Sequence, residues 1–394
     1  MKRILLCISI IFFTSFFHHA QQDKIVFIFG HSLVVHDPPL IPTPSDETTV
    51  PHWLHFLAEE ANLDIAVNGQ YGFLQQHDDL PPISQWGFDS VASAWDSDSE
   101  PFSVANFDTV LITAGNFIQY QSSNQPYYND PNTTPLSATL TIVDWVNNQN
   151  PDMVTYIYEN WPDMAGFLNN GFPASASEFQ AYNDYTEGDF HDWWIEYQDF
   201  LVAERPNEII KMIPVGPIIS KLLSQAPYDQ IPISELYEDD APHGRPTIYF
   251  LAAMITYAAI FQSPAPDSFI VPNTVHSTVA NNYQNINAFI WNELLDFNFS
   301  PLGESRVFIN SPLSVEDEEL YKINIYPNPT QNILYFDGEL DGLDIEVYDA
   351  LGKKMNIEYS SVTNTLDLTR INSGVLFVKF KSERGTYIKR IVKL

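Results

Sequence analysis

Three residues in two short motifs have the side chains that serine-based ester cleavage requires. Ser32 lies in the sequence Gly-His-Ser-Leu after an apolar run, and Asp240 and His243 lie in the sequence Asp-Ala-Pro-His before a helical pattern. A serine hydroxyl becomes nucleophilic when an imidazole takes its proton, and a carboxylate can orient that imidazole. We therefore expect Ser32 as nucleophile, His243 as base and Asp240 as the acid. Asp239 is an alternative acid, but the three-residue spacing favours Asp240.

Ester cleavage also needs hydrogen-bond donors for the oxyanion that forms on the attacked carbonyl. The backbone N–H of Ser32 follows a glycine turn. Gly69 ends the second predicted strand, where a backbone N–H can approach a ligand without a Cβ, and Asn116 ends the third. We expect these three residues to form the oxyanion hole.

The elements that must position these residues alternate between strands and helices. Short apolar runs predict strands at 24–29, 64–67, 107–113, 153–158 and 208–213, with helical patterns between them. Such alternation predicts an α/β fold, specifically a flavodoxin-like three-layer α/β/α sandwich with a mostly parallel sheet. Ligands bind outside the carboxyl ends of the strands in such sheets, and every motif above lies at one of those ends.

The charge of the chain is strongly uneven. Residues 21–320 hold six basic and 41 acidic side chains, whereas residues 321–394 hold ten basic and nine acidic ones. The acidic part should repel nucleic acid and anionic membranes, so neither is an expected partner.

The N-terminal residues 1–20 have the pattern of a secretory signal peptide, with a basic start, an apolar stretch and a small residue, Ala20. No later stretch is long and apolar enough for a transmembrane segment. The single cysteine, Cys7, lies inside this signal. We therefore expect no cysteine nucleophile, thiolate metal site or disulfide in the mature protein.

The pattern changes near residue 321. Residues 21–299 form the predicted catalytic domain, 300–320 a linker, and 321–394 a segment of short alternating strands and turns. Evenly spaced short strands predict a small all-β immunoglobulin-like sandwich.

Several side chains are candidates for a substrate cleft. Glu159 and Trp161 follow the fourth strand, and Tyr127 lies near the end of the third. Aromatic faces there could stack on sugar rings, although core packing is the competing interpretation. The spacing of His52 and His55 could bind a metal, but a surface or packing role is favoured because no third ligand is evident. We expect no metal and no organic cofactor.

Residues 24–262 resemble the SGNH (GDSL-like) hydrolases. The resemblance is carried by Gly-His-Ser-Leu at 30–33, Asn-Gly at 68–69, Ala-Gly-Asn at 114–116 and Asp-Ala-Pro-His at 240–243. It implies the nucleophile, two oxyanion donors, and the acid and base, in that order. His31 and Phe117 stand where the family usually has aspartate, and the glycine at 115 is directly adjacent to the asparagine.

Residues from about 323 to 394 resemble the C-terminal sorting domain of the type IX secretion system of Bacteroidetes. The resemblance is carried by Tyr-Pro-Asn-Pro-Thr at 326–330, Tyr-Asp-Ala-Leu-Gly-Lys at 348–353, Leu-Asp-Leu at 366–368, Ser-Gly-Val at 373–375 and the basic ending at 389–394. It implies the type IX machinery as a partner and export across the outer membrane, to the medium or the cell surface.

Together these patterns predict a secreted serine esterase that acts on a small-molecule or carbohydrate ester, with O-acetyl groups on carbohydrate as the expected substrate. The substrate expectation rests on analogy with the family and on the aromatic residues near the strand ends. The alternative hypothesis is a non-catalytic surface protein on the same fold that binds glycans or mediates adhesion. A lipase is less favoured because no long apolar lid segment is evident.

Overall fold

The structure is a computed structural model. It describes residues 23–36, 49–88, 90–113, 122–298, 305–309, 324–337, 340, 343–349, 353–355, 357, 359–361, 363–381 and 386–394. The chain divides into two compact units, an N-terminal unit of residues 1–309 and a C-terminal unit of residues 310–394. The predicted signal peptide lies outside the described residues. Residues 305–309, which the sequence places in the linker, pack in the N-terminal unit, where Val307 and Phe308 are buried.

The N-terminal unit is built on one parallel sheet with strand order β2-β1-β3-β4-β5. Its strands are β1 (Lys24–Gly30), β2 (Ile65–Tyr71), β3 (Thr109–Thr113), β4 (Val154–Tyr158) and β5 (Ile210–Ile213). The order is that of the flavodoxin-like doubly wound sheets. All the strands are parallel, and the order in which the chain adds them to the sheet reverses between β1 and β3. The predicted α/β fold is confirmed.

Ten helices accompany this sheet in the described part of the unit. They are α1 (Val50–Glu60), α2 (Leu74–His77), α3 (Pro135–Gln149), α4 (Ala176–Glu187), α5 (Asp189–Glu204), α6 (Val215–Leu223), α7 (Ile233–Leu236), α8 (Pro246–Ile260), α9 (Ser277–Ala280) and α10 (Tyr283–Asn298). Helix α8 is buried along its whole length. None of the helices in the described ranges has the length and apolar character needed to cross a membrane.

Strand residues alternate between two cores, which accounts for the three layers. Val26 and Ile28 belong to the core that includes α1, α6 and α8. Phe27 and Phe29 belong to the opposite core, which includes α3 and α5. Both faces of a parallel strand are buried in this way, so β1 reads as a continuous apolar run rather than an alternating one.

Two glycines near the end of β1 and β2 allow a tryptophan ring to lie against the sheet. A Cβ on Gly69 would lie 2.2 Å from Cε3 of Trp86, and one on Gly30 would lie 3.1 Å from Cη2 of the same ring. Gly69 lies inside β2, two residues before its end. The Trp86 ring occupies the space above its Cα. The Gly30 position keeps the turn that follows β1 close to this ring.

The C-terminal unit consists of two four-stranded sheets, in the orders β10-β11-β7-β6 and β13-β12-β8-β9. The strands are β6 (Asn324–Tyr326), β7 (Ile333–Asp337), β8 (Asp344–Asp349), β9 (Lys354–Met355), β10 (Tyr359–Ser360), β11 (Thr365–Asp367), β12 (Gly374–Lys381) and β13 (Thr386–Lys393). Leu334 and Phe336 from one sheet pack with Val378 and Phe380 from the other. The predicted small all-β domain is confirmed.

Candidate active site

Ser32 lies in a tight turn at the carboxyl end of β1. The N–H groups of Val34 and Val35 both donate to the carbonyl of His31, at 2.9 and 3.1 Å. Leu33 and Val34 are buried, whereas Ser32 is partly exposed. The apolar neighbours therefore anchor the turn in the core and leave the Ser32 hydroxyl at its tip.

His243 lies in a loop that folds back on itself before α8. An antiparallel bridge joins Tyr237 to Gly244, and the N–H of Glu238 donates to the carbonyl of His243 at 2.8 Å. These contacts close the loop between residues 237 and 244. Residues 239 and 243 consequently face each other across it.

The two segments meet in a chain of side-chain hydrogen bonds. His243 Nε2 lies 2.9 Å from Ser32 Oγ, and His243 Nδ1 lies 2.7 Å from Asp239 Oδ2. The other oxygen of Asp239 accepts a bond from the His243 N–H at 3.1 Å. With both of its carboxylate oxygens engaged by the same residue, Asp239 fixes the ring and the backbone of His243 together.

The acid in this arrangement is Asp239 and not Asp240, which corrects the expectation from the sequence. The Asp240 side chain is exposed, and its carbonyl accepts a bond from the N–H of Met164 at 3.0 Å. A three-residue spacing would suit a helical turn, but here the chain forms a closed loop. Its closure directs Asp239 inward and leaves Asp240 at the outer side.

Two buried aromatic side chains hold the serine turn and the histidine loop in place. The Tyr249 hydroxyl donates to the carbonyl of Ser32 at 2.7 Å and accepts from the N–H of Gly244 at 3.3 Å. Trp161 Nε1 donates to the carbonyl of Pro242 at 2.8 Å. Trp161 is fully buried, so it supports the histidine loop from below and does not line the cleft as the sequence suggested. No pattern in the sequence indicated the part played by Tyr249.

His31, the residue before Ser32, is a neutral residue here. Its Nδ1 accepts a bond from the N–H of Leu33 at 3.3 Å, which requires that nitrogen to be unprotonated. Burial, followed by the nearby His77 and His243, lowers the pKa of His31 to about 3. The residue before Ser32 therefore contributes a neutral ring instead of a negative charge.

Two of the three predicted oxyanion donors, Ser32 and Gly69, lie in the described ranges. In the described ranges the N–H of Ser32 donates to no protein acceptor. Gly69 lies inside β2 and does not end it, with the Trp86 ring over its Cα, and the role of its N–H stays a prediction. Asn116 and Phe117 lie outside the described residues.

The other two predicted cleft residues are buried. Glu159 is fully buried and its carboxylate oxygens lie 2.8 and 3.0 Å from His191 Nδ1. Tyr127 is 7% exposed, and burial raises the pKa of its hydroxyl. Both side chains are buried because helices and loops cover the strand ends. The position of these covering segments could not be predicted from the sequence.

Two aromatic side chains that the sequence did not suggest flank the serine turn instead. Tyr71 and Phe73 are 50% and 44% exposed at the end of β2. Their segment is joined to the serine turn because the N–H of Gly72 donates to the carbonyl of Gly30 at 2.9 Å. The ring of Phe73 lies 5.8 Å from that of His31. Two large exposed rings therefore lie on the segment that is bonded to the end of β1, just before Ser32.

The histidines with metal-like spacing take other roles. His52 is buried, and its Nδ1 lies 2.6 Å from the hydroxyl of Thr49. The ring of His55 packs near that of Phe56, with the centroids 5.5 Å apart. Across the described ranges, no three His, Cys, Asp or Glu side chains are grouped so that they could hold a metal ion.

The C-terminal part of the chain matches a known family. Residues 324–394 match the family model of the secretion system C-terminal sorting domain. This match confirms the resemblance of the tail to a sorting domain. No curated protein sequence matches the chain.

Several solved structures are similar to the chain at low identity. One, described as a GDSL-like lipase from Parabacteroides merdae, is 11% identical, with a TM-score of 0.36 over 61% of this chain and 97% of that one. A Clostridium thermocellum family 3 carbohydrate esterase is 13% identical, with a TM-score of 0.35 over 61% and 98%. An acetyl-xylooligosaccharide esterase from Geobacillus stearmophilus is 13% identical, with a TM-score of 0.34 over 65% and 98%.

The two adjacent aspartates provide a matched pair of variants. We expect Asp239→Asn to lower kcat for ester hydrolysis by at least about a hundredfold, because the amide cannot stabilise the imidazolium and favours the wrong tautomer. Asp240→Asn should stay within about twofold of the wild type, since its side chain is exposed away from His243. Steady-state kinetics on both purified variants tests this. A larger loss for Asp240→Asn would reject the assignment of Asp239.

The pair of the buried Glu159 and the partly buried His191 should make stability depend on pH. Burial lowers and the facing carboxylate raises the pKa of His191, and the net shift is upward from 6.5. A raised folded-state pKa means that this stabilisation is complete below about pH 6 and is lost as pH rises through the folded value. We expect the wild type to lose more unfolding free energy than Glu159→Gln between about pH 6 and about pH 9 in urea titrations.

The exposed carboxylate of Glu235, which lies 3.5 Å from His276, provides the control for this experiment. Glu235→Gln should keep the pH dependence of the wild type. Equal pH dependence in wild type and Glu159→Gln would mean that the pair of Glu159 and His191 does not carry the effect.

Proposed function

We propose that the N-terminal unit is a serine hydrolase that cleaves carboxylic esters. The observation that carries the proposal is the continuous chain of bonds from Ser32 Oγ through the two nitrogens of His243 to Asp239. Distances of 2.9 and 2.7 Å are within the range for proton transfer between nucleophile and base. The location at the carboxyl edge of a parallel sheet agrees with where such folds bind ligands.

The reaction would follow the order of these contacts. Ser32 Oγ attacks the ester carbonyl carbon while His243 Nε2 takes the hydroxyl proton, and Asp239 stabilises the resulting imidazolium. The Ser32 N–H donates to the developing oxyanion, and Asn116 is the proposed second donor. The tetrahedral species then expels the alcohol, which receives the proton from His243. Water, activated by the same imidazole, releases the acid from the acyl-enzyme.

The proposed substrates are O-acetyl esters carried by carbohydrate. Tyr71 and Phe73 support this proposal because exposed rings beside a nucleophile can stack on the apolar face of a sugar. Such rings would hold the saccharide and leave the acetyl group to reach Ser32. The same rings would serve a glycan-binding protein without activity, so the nucleophile distinguishes the two functions.

The proposed site of action is outside the cell. The sorting-domain match at 324–394 supports export, and the type IX machinery is the proposed export partner. The signal-like N-terminus, residues 1–20, would direct the first step of that route.

Removal of the nucleophile tests the activity. We expect wild type to hydrolyse p-nitrophenyl acetate and Ser32→Ala to lose at least about a thousandfold in kcat/KM, because the triad acts as a unit. Ser177→Ala, which changes an exposed serine in α4, should retain the wild-type rate. If wild type and Ser32→Ala are equally inert on this and on acetylated oligosaccharides, the non-catalytic glycan-binding function takes its place.

The aromatic rings test the substrate class separately. We expect Tyr71→Ala or Phe73→Ala to raise KM for an acetylated oligosaccharide by about tenfold, which corresponds to about 1.4 kcal/mol of lost stacking. The same variants should hydrolyse ethyl acetate, followed by pH-stat, at nearly the wild-type rate. Phe200→Ala, which changes an exposed ring on α5, is the control. Equal losses on both esters would reject the role of Tyr71 and Phe73 in binding the saccharide.

A further inference from the structure

A second histidine packs flat against the ring of the proposed catalytic base. The ring centroids of His36 and His243 lie 3.9 Å apart, and the ring planes differ by 11°. His36 follows the serine turn, and it belongs to neither motif. A parallel contact this close leaves the edges of the His243 ring free, so both of its nitrogens can keep their bonds to Ser32 and Asp239.

Each ring of this pair faces its own carboxylate. His36 Nε2 lies 3.5 Å from Glu238 Oε2, just as His243 Nδ1 lies 2.7 Å from Asp239 Oδ2. The two acids are consecutive in the chain, and the Glu238 carboxylate is almost fully buried. The site therefore contains two stacked imidazole–carboxylate pairs, of which only one reaches the nucleophile.

Burial favours the neutral form of His36. Burial is the main cause that lowers the pKa of His36 and the neighbouring His243 adds to it, while Glu238 and Asp239 oppose the shift. A proton on one ring disfavours a proton on the other, because like charges would lie within one ring stack. When His243 takes the proton of Ser32, His36 would therefore remain neutral.

We infer that His36 is a positioning residue for His243, an inference that rests on the proposed function. Its flat ring holds the imidazole in the plane that joins Ser32 to Asp239, and its neutral face lies against the imidazolium formed during acyl transfer. A ring held on one face can rotate less, and small losses of alignment between base and nucleophile reduce rates strongly. The Glu238 carboxylate keeps His36 in place without competing for His243.

Variants that keep or remove the ring separate these effects. His36→Ala should lower kcat for p-nitrophenyl acetate by about tenfold to a hundredfold, with KM changed by less than about twofold. His36→Phe keeps a flat ring and should stay within about threefold of wild-type kcat. A merely structural role would not be rescued by a ring that makes no hydrogen bond to Glu238.

The pH profile gives a second readout. Protonation of His36 at low pH would place a charge against His243 and oppose formation of the imidazolium. Because the two rings do not hold protons together, the wild-type rate should fall with a single-proton slope at a higher pH than that of His36→Phe. His36→Phe lacks that second group, so only protonation of His243 sets its acid limb. Identical acid limbs in the two proteins, together with an unimpaired His36→Ala enzyme, would overturn the inference.

A measurement without turnover separates this inference from the proposed function. The Nδ1 proton of His243, bonded to Asp239, should give a downfield NMR resonance in wild type, Ser32→Ala and His36→Phe. We expect His36→Ala to broaden or lose it while its melting temperature stays close to that of wild type. If wild type lacks Ser32-dependent activity, the proposed function fails, and this resonance still decides the role of His36. A resonance unchanged in His36→Ala would reject the positioning role.

Discussion

The hydroxyl of Tyr249 joins the two segments on which the site depends. It is a buried group on the wholly buried helix α8, and burial keeps it protonated by raising its pKa. It donates to the carbonyl of Ser32 and accepts from the N–H of Gly244. A buried phenol that lost these partners would leave unsatisfied polar groups, so the core of the protein fixes the distance between the serine turn and the histidine loop. The geometry of the side chains that meet above it follows from this one contact.

Neutral histidines form the environment of the nucleophile. His31 and His77 are buried, and burial lowers their pKa values to about 3 and about 4. His36 stacks on His243 and burial lowers its pKa as well, so all three imidazoles around the serine turn favour the neutral form. The negative charge at the centre of the site is concentrated on Glu238 and Asp239, on one side of the stacked rings. This distribution favours a positive charge on His243 when it takes the serine proton.

Much of the architecture could be predicted from the sequence because it depends on local patterns. The buried run that forms β1 is apolar on both faces, and alternation with helices predicted the parallel sheet. Ser32 could be singled out because it follows the apolar run of β1. His243 could be singled out because it comes just before the helical pattern of α8. Trp161 and Glu159 were predicted at the correct strand end, but their side chains are buried and do not line a cleft. Whether a side chain after a strand points to solvent or into a core depends on which loop covers it, and covering loops leave no periodic signal.

The sequence by itself determined the alternation of strands and helices, singled out Ser32 and His243, and identified the sorting tail, since these are written in short contiguous patterns. Only the tertiary structure decided between Asp239 and Asp240, because the choice depends on how the loop closes between Tyr237 and Gly244. It also brought His36 against His243 and exposed Tyr71 and Phe73 beside the turn. The physical reason is that contacts between residues far apart in the chain are fixed by packing in the core, and the spacing of residues in a sequence carries no information about that packing.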